Sequence, residues 1–485
     1  MEHGNLLVDV KEKRRVANTT SANTDAISRG GVARSSDETF VMDVERRGHG
    51  VLEMKSINVP RRTEELVTST KSFAISKRMV FEAWKRVKAN RGAAGIDAES
   101  IAKFEANLVN NLYVLWNRLT SGSYFPPPVM EVPIPKRDGG IRLLGVPTVA
   151  DRVAQTVVKH YLEPVLDPVF DDDSYGYRPR RSARDAIRVT RQRCWKFDWV
   201  LEIDVKRAFD DLDHGLMMKA LSKHTDCKWV LLYIERWLKA PSITSAGEIK
   251  ERNRGTPQGG IVSPLLMNLF MHYGFDRWLR REMPSCRFAR YADDAVIHCQ
   301  SEQMAQKVKQ LLAGRFAACG LELHPEKTKI VYCRDNNRRA DYPVTQFTFL
   351  GFTFRPPGAR DRKGELFTSF LPGVSREAQK RMRQQIRSWR LPRRTLSTLA
   401  DLSADYNAIL RGWWNYYGSF YPSAMSGVFK HFDLALAYWG RRKYKRLARR
   451  KRYSRQWLTR TARMQSHWFV HWSRWYAKDR ALGAV

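Results

Sequence analysis

The stretch from Phe288 to Gln300 constrains the fold more than any other part of the chain. Short apolar runs flank Tyr291-Ala292-Asp293-Asp294 on both sides, and they read as two strands meeting in a tight turn. Two adjacent carboxylates are left at the tip. They repel one another unless a hard divalent cation lies between them, and Mg²⁺ with phosphate oxygens as co-ligands is the common solution. Taken alone, an Asp-Asp pair in a turn reads as solvated turn chemistry. A third carboxylate upstream shifts the balance. Asp204 follows the alternating run Val200-Leu-Glu-Ile203, where a strand is expected to give way to a charge-rich helical segment. A strand end can hold a side chain rigidly against a neighbouring hairpin. Phosphoryl transfer through two metal ions roughly 4 Å apart needs such an arrangement, with Asp204, Asp293 and Asp294 as ligands. Nearby Asp210, Asp211 and Asp213 read as helix N-terminal charge and surface solvation.

The partner of such a site is suggested by charge. The 485 residues carry a formal charge of +35, far more than solubility requires, together with 15 Trp and 18 Tyr. That excess points to a polyanion, and stacking surfaces beside it favour nucleic acid. From Arg355 to Val485 there are 29 basic and 7 acidic residues, so this quarter of the chain holds +22 of the total. Its densest run contains Arg441, Arg442, Lys443, Lys445, Arg446, Arg449 and Arg450, expected to meet RNA phosphates rather than bases. No apolar run approaches the roughly 18 to 20 residues of a membrane span, and no secretory signal opens the chain, so a soluble, cytoplasmic protein with no membrane partner is expected. The six cysteines show no Cys-x-x-Cys spacing, which predicts neither a disulfide framework nor a zinc site.

Along the chain, residues 1–68 are polar and weakly periodic and read as a largely disordered leader. Helices are expected from Ser76 to Asn90, from Phe104 to Ser121 and from Asp151 to Leu166, the first ending at the glycine-punctuated turn Arg91 to Gly95. Strands are expected at Val129–Pro135 and Ile141–Val146, around an Asp-Gly-Gly turn. An Arg- and Tyr-rich loop, 173–181, precedes a helix capped by Ser182. Helices run through Lys239, the glycine-rich loop Arg254 to Gly260 feeds a long helix from Ser263, and another helix spans Glu302 to Cys319. Phe347 to Phe354 reads as a strand pair around Gly351. The basic block from about Arg355 reads as largely helical, with Trp413, Trp414, Tyr416 and Tyr417 mostly in its core.

The order of these elements resembles the fingers and palm of reverse transcriptases, in the form of the group II intron-encoded reverse transcriptase and maturase family. The resemblance rests on Gly92-Ala-Ala-Gly-Ile-Asp97, Ile134 to Thr148, Tyr175-Gly-Tyr-Arg-Pro179, Asp204 to Phe209, Thr256 to Leu266, Tyr291 to Asp294, Leu350-Gly351 and Gly412 to Tyr417. It covers roughly residues 70 to 480. It implies an α+β right-hand polymerase with antiparallel sheets: fingers and palm over 69–355, a helical thumb or maturase domain over 356–440, and a basic nucleic-acid-binding tail over 441–485. The implied activity is RNA-directed DNA polymerisation with two Mg²⁺ ions, joined to binding of the group II intron RNA, assistance to splicing, and copying of the intron at a DNA target. The alternatives are a reverse transcriptase domesticated for defence or a CRISPR system, and a non-catalytic splicing chaperone.

The resemblance also implies roles for single residues. Asp204, Asp293 and Asp294 match the metal-binding triad, with the Val205 carbonyl as an extra ligand. Phe209 takes the place of the aromatic that excludes a 2′-hydroxyl. Lys136 and Arg142 match the pair gripping the dNTP triphosphate, Gln258 lies in the loop beside nucleotide and template, and Lys327 matches the lysine that protonates pyrophosphate. Tyr291, Leu350 and Gly351 fall at primer and template positions. Many members continue into a cysteine-containing HNH endonuclease; such cysteine pairs are missing before Val485, so second-strand cleavage is not expected of this chain.

Overall fold

The structure, a computed structural model, describes residues 72–135, 140–360 and 366–476, all within the unit Lys71–Val485. The expected leader, 1–68, and Lys136 lie outside these residues. Alternation of apolar residues builds the central antiparallel sheet, ordered β10 (Lys329–Tyr332), β3 (Trp199–Ile203), β8 (Asp294–Cys299) and β7 (Arg287–Tyr291). Both of its faces are covered, as the near-continuous apolar character of β3 and β8 requires. Leu201, Ile203, Ala295 and Ile297 pack on one side into a core shared with the helices α8 (Ser263–Met271) and α10 (Glu302–Ala318). Val200, Val296 and Val331 face a second core with Phe347, Phe349, Phe352 and Phe354.

Those phenylalanines belong to the sheet formed by β11 (Phe347–Phe349), β12 (Phe352–Arg355) and β15 (Leu371–Val374), beside the hairpin β13 (Gly358–Arg360) and β14 (Leu366–Thr368). A third sheet is ordered β2 (Ile141–Val146), β1 (Val129–Pro135), β5 (Ser242–Ile243) and β6 (Ile249–Lys250), and the helices α1 (Lys77–Asn90), α2 (Ile101–Ala106), α3 (Leu108–Ser121) and α4 (Val149–Leu166) pack on one another. The two-residue strands β4 (Val205–Lys206) and β9 (Glu322–Leu323) pair just past Asp204. α5 (Ala183–Cys194), α6 (His214–Leu221), α7 (Lys228–Lys239) and α9 (Arg277–Glu282) complete the first part. The C-terminal part is helical: α11 (Arg376–Ser388), α12 (Leu399–Tyr417), α13 (Ser426–Lys443), α14 (Lys451–Met464) and α15 (Val470–Trp475) close on Phe429, Phe432, Trp439 and Trp472. The α+β class with a helical C-terminal region is as expected.

Most starts are written in the caps. The Ser76 side chain accepts from Met79 N–H, and Ser182 with Asp185 forms a full capping box. Four expectations are corrected. The helix from Phe104 breaks at Asn107, where the Asn111 amide donates to the freed Phe104 carbonyl (3.0 Å). After Asp204 the chain forms β4 and a turn rather than a helix, with Arg207 at φ 47° and the helix delayed to His214, for which Asp213 is the N-cap. The helix from Ser263 is interrupted by a π turn, His272–Asp276. Strands continue to Val374, so the helical block begins at Arg376 and not at Arg355.

Candidate active site

β7 and β8 pair down to Tyr291↔Asp294, leaving a two-residue turn of Ala292 and Asp293. Ala292 has φ 59°, the left-handed value a hairpin turn of this size demands at its first central position. On the other side β8 pairs with β3 up to Ile203↔Ala295. One step further, the same register sets Asp204 opposite Asp294. The period of two then puts Glu202, Asp204 and Asp294 on one face of the sheet. The backbone holds Asp204 in place, since its carbonyl accepts from His324 N–H (2.8 Å) and Val205 pairs with Leu323.

This face floors a cleft of about 870 Å³. The floor is acidic, and the rest of the lining is mostly basic, with Lys327, Lys329, Arg355, Arg376 and Arg383 against the single acid Glu377. The Lys327 ammonium lies 3.7 Å from an Asp204 oxygen, so the structure brings Lys327 to the triad. Burial pushes the Asp293 carboxyl above the usual carboxylate range; the Arg142 charge opposes this and the Asp204 charge adds to it. Burial also raises Glu202 to about 7, against the Thr348 N–H it accepts (3.1 Å) and the Lys329 charge. Glu202 was missed as a site residue, although its position two before Asp204 was a usable signal.

Arg142, Gln258 and Asp210 form a chain at a second edge of the site. Arg142 Nε donates to Gln258 Oε1 (2.5 Å), and Gln258 Nε2 donates to Asp210 (3.1 Å). The loop holding Gln258 is fixed from two sides. Its carbonyl accepts from Gly145 N–H of β2 (2.8 Å), and Gln155 Oε1 accepts from Ile261 N–H (2.7 Å). Gln155 is itself set by buried Asp151, which also accepts from Tyr124 and Trp237, both at 2.7 Å. Phe209 is 9% exposed, its ring packed into the main core and its carbonyl accepting from Thr256 N–H (2.7 Å). Tyr177, half exposed at φ 54°, stands with its ring 6.0 Å from Tyr291; it lies in the Tyr175-Gly-Tyr-Arg-Pro179 motif but was given no role of its own.

Tyr291, Asp294, Leu350 and Gly351 line a smaller cavity of about 460 Å³ with Arg381, Tyr416 and Tyr417. The Tyr416 hydroxyl donates to the Leu350 carbonyl (3.0 Å). Trp413 and Trp414 are half-buried, stacked on Trp389 and tilted against Phe429 respectively. Of the basic run, Arg442, Lys445, Arg446, Arg449 and Arg450 are exposed. Lys443 instead donates to the Thr395 and Ser397 carbonyls (3.0 and 2.9 Å), and Arg441 to the Ala448 carbonyl (3.2 Å).

Among the described residues, no three His, Cys, Asp or Glu side chains converge closely enough to enclose a metal by themselves. The donor set at Asp204, Asp293 and Asp294 nevertheless fits a hard cation, because it is all oxygen and because burial, with the Asp204 charge, disfavours ionisation of Asp293. An open set of this kind suits an ion that takes its remaining ligands from substrate phosphates and water. Among the described residues no helix is long and apolar enough to cross a membrane.

Comparison with known proteins matches both parts. Residues 134–354 match the family described as reverse transcriptase (RNA-dependent DNA polymerase), and residues 379–457 the group II intron, maturase-specific domain. Protein YkfC of Escherichia coli is 30% identical over 327 residues, covering 59% of this chain and 82% of that protein. Group II intron-encoded protein LtrA of Lactococcus lactis is 28% identical over 291 residues, 58% of this chain and 47% of LtrA, so the match spans about half of LtrA's length. The putative COX1/OXI3 intron 1 protein of Saccharomyces cerevisiae is 27% identical over 269 residues, 54% of this chain and 31% of that protein. A reverse transcriptase domain implies use of a divalent metal, and a maturase domain implies binding of intron RNA. On these matches the chain belongs to the family of group II intron-encoded reverse transcriptases and maturases.

Proposed function

We propose that this chain is an RNA-directed DNA polymerase that binds its parent group II intron RNA, assists its splicing and copies it at a DNA target. The observation that carries this reading is the register that sets Asp204 across from Asp294 at the floor of a cleft lined largely by basic residues, with Asp293 next in the turn. Two Mg²⁺ ions held by Asp204, Asp293 and Asp294, with the Val205 carbonyl, would activate the primer 3′-hydroxyl and offset charge on the leaving phosphate. Arg142 and Lys136 hold the triphosphate, and Gln258, tied to Arg142, positions the nucleotide. Lys327, beside Asp204, protonates departing pyrophosphate. The exposed edge of Phe209 crowds a 2′-hydroxyl. The Leu350-Gly351 turn and Tyr291 seat the primer end, and Arg442, Lys445, Arg446, Arg449 and Arg450 meet RNA phosphates. The domain limits follow the same roles, with fingers and palm over 69–355, thumb over 356–440 and basic tail over 441–485.

Purified protein is expected to extend a DNA primer on an RNA template, and Asp293→Ala to abolish extension while the melting temperature stays near that of the parent. Unchanged extension by Asp293→Ala would sink the site assignment.

A further inference from the structure

The turn that carries Asp293 is held from behind by a buried charged network. Arg290, the penultimate residue of β7, is fully buried, as are Asp276 and Asn268. Its guanidinium grips Asp276 through two bonds (Nε to Oδ1, 2.7 Å; Nη2 to Oδ2, 2.5 Å). The remaining nitrogen, Nη1, donates to Asn268 Oδ1 (3.0 Å) and to the carbonyl of Ala292 (2.9 Å), the residue immediately before Asp293. The Asn268 amide in turn donates to the Gly176 carbonyl (2.6 Å). Gly176 lies flat on the turn, where a Cβ would come within 2.4 Å of Ala292 N. Asp276 closes the π turn that interrupts the α8–α9 helix, and π turns of this kind concentrate at functional sites.

Stability alone does not account for this arrangement. A buried ion pair is often no better for folding than an apolar pair of equal volume, because desolvation offsets the attraction. What the network adds is direction. Ala292 sits at φ 59°, which for an L-residue costs about 1–2 kcal/mol and persists only where the surroundings over-determine it.

We propose that Arg290, with Asp276 and Asn268, is a positioning residue for the metal site: by fixing the Ala292 carbonyl it sets the direction in which the next peptide presents the Asp293 carboxylate. The role rests on the polymerase reading, and it places the determinant of metal geometry on α8 and the π turn as well as on the hairpin. Displacements of about 1 Å at a reacting centre can lower rates by roughly 100-fold.

The test replaces both buried charges with apolar residues, Arg290→Met with Asp276→Leu, in the full chain. Four quantities are read: the melting temperature, affinity for structured RNA, primer-extension kcat, and Mn²⁺ affinity by calorimetry without nucleotide. The expected result is a melting temperature and RNA affinity near the parent's, Mn²⁺ affinity about 10-fold weaker and kcat about 100-fold lower. Parent-like Mn²⁺ affinity and kcat in a folded double variant overturn the proposal. Should the double variant unfold, Asn268→Ala, which leaves the ion pair in place, is read the same way. Its loss of Mn²⁺ affinity supports the role, and parent-like values for it overturn the role. An inert parent protein would refute the polymerase reading instead, while its Mn²⁺ affinity against the variants' still reads the network.

Discussion

At the scale of single residues the hairpin turn leaves little freedom. The atoms facing Gly176 are backbone, Ala292 N and Tyr291 C, and neither can swing aside for a methyl group. Gly176→Ala is therefore expected to lower primer extension by about 10-fold or more, since a shift under 1 Å suffices, with a smaller effect on RNA binding by the C-terminal helices. Steady-state extension and a filter-binding titration separate the two. Phe209 offers a second test, because its ring is mostly core. Phe209→Val should raise ribonucleotide incorporation, measured as the ratio of kcat/KM for rNTP over dNTP. It should lower stability by less than the roughly 3–5 kcal/mol of truncating a buried Phe to Ala. An unchanged ratio would leave Phe209 a packing residue. The candidate triad could be named from the sequence because Asp204 closes an alternating run upstream of the Asp293-Asp294 turn. Glu202 carried one signal, its place two before Asp204 on the same strand face, while its bond to Thr348 N–H, 146 positions away, shows only in the folded chain.

Among elements, the informative contact joins α12 to the β11–β12 turn. Leu350 and Gly351 both have positive φ (51° and 81°), Tyr416 bonds the Leu350 carbonyl, and a Cβ on Gly351 would lie 3.0 Å from the Tyr417 hydroxyl. The maturase-like segment thus braces the turn proposed to seat the primer. Tyr416→Phe removes one hydrogen bond worth about 1 kcal/mol. It is expected to raise the apparent KM for primer–template about fivefold with little change in KM for dNTP, which a two-substrate titration resolves. The hairpins themselves were legible from alternation and glycine, and helix starts from Ser76 and Ser182. The break at Asn107, the π turn and the strands between Arg355 and Val374 were not. Each depends on a contact that periodicity does not register: a side-chain amide returning to a carbonyl seven residues back, an ion pair to Arg290, and a sheet edge on β12 that recruits β15.

For the whole molecule, the +35 charge sets how RNA is held. Replacing Arg442, Lys445, Arg446, Arg449 and Arg450 together by Gln should weaken RNA binding and reduce the slope of log K against log salt by up to about 3–4, at roughly 0.7 per phosphate contact on a single strand. An unchanged slope would remove this face from the interface. Acid should loosen the fold. Burial holds His298 down to about 3 and His272 to about 4, whereas the unfolded chain protonates both near 6.5. Between those values the unfolded state binds more protons, so stability falls as pH drops below about 6.5. Thermal melts from pH 7 to 4 should show the fall, and His298→Leu should flatten it. The sequence by itself determined the class of fold and the excess of positive charge, and it named three candidate carboxylates, because charge, alternation and clustered acids are local properties of the chain. Tertiary structure alone decided that Asp204 meets Asp294, that Lys443 bonds its own chain, and that Arg290 holds the turn. These depend on strand register and on which polar groups burial leaves together, and neither is fixed until the sheets and helices close on one another.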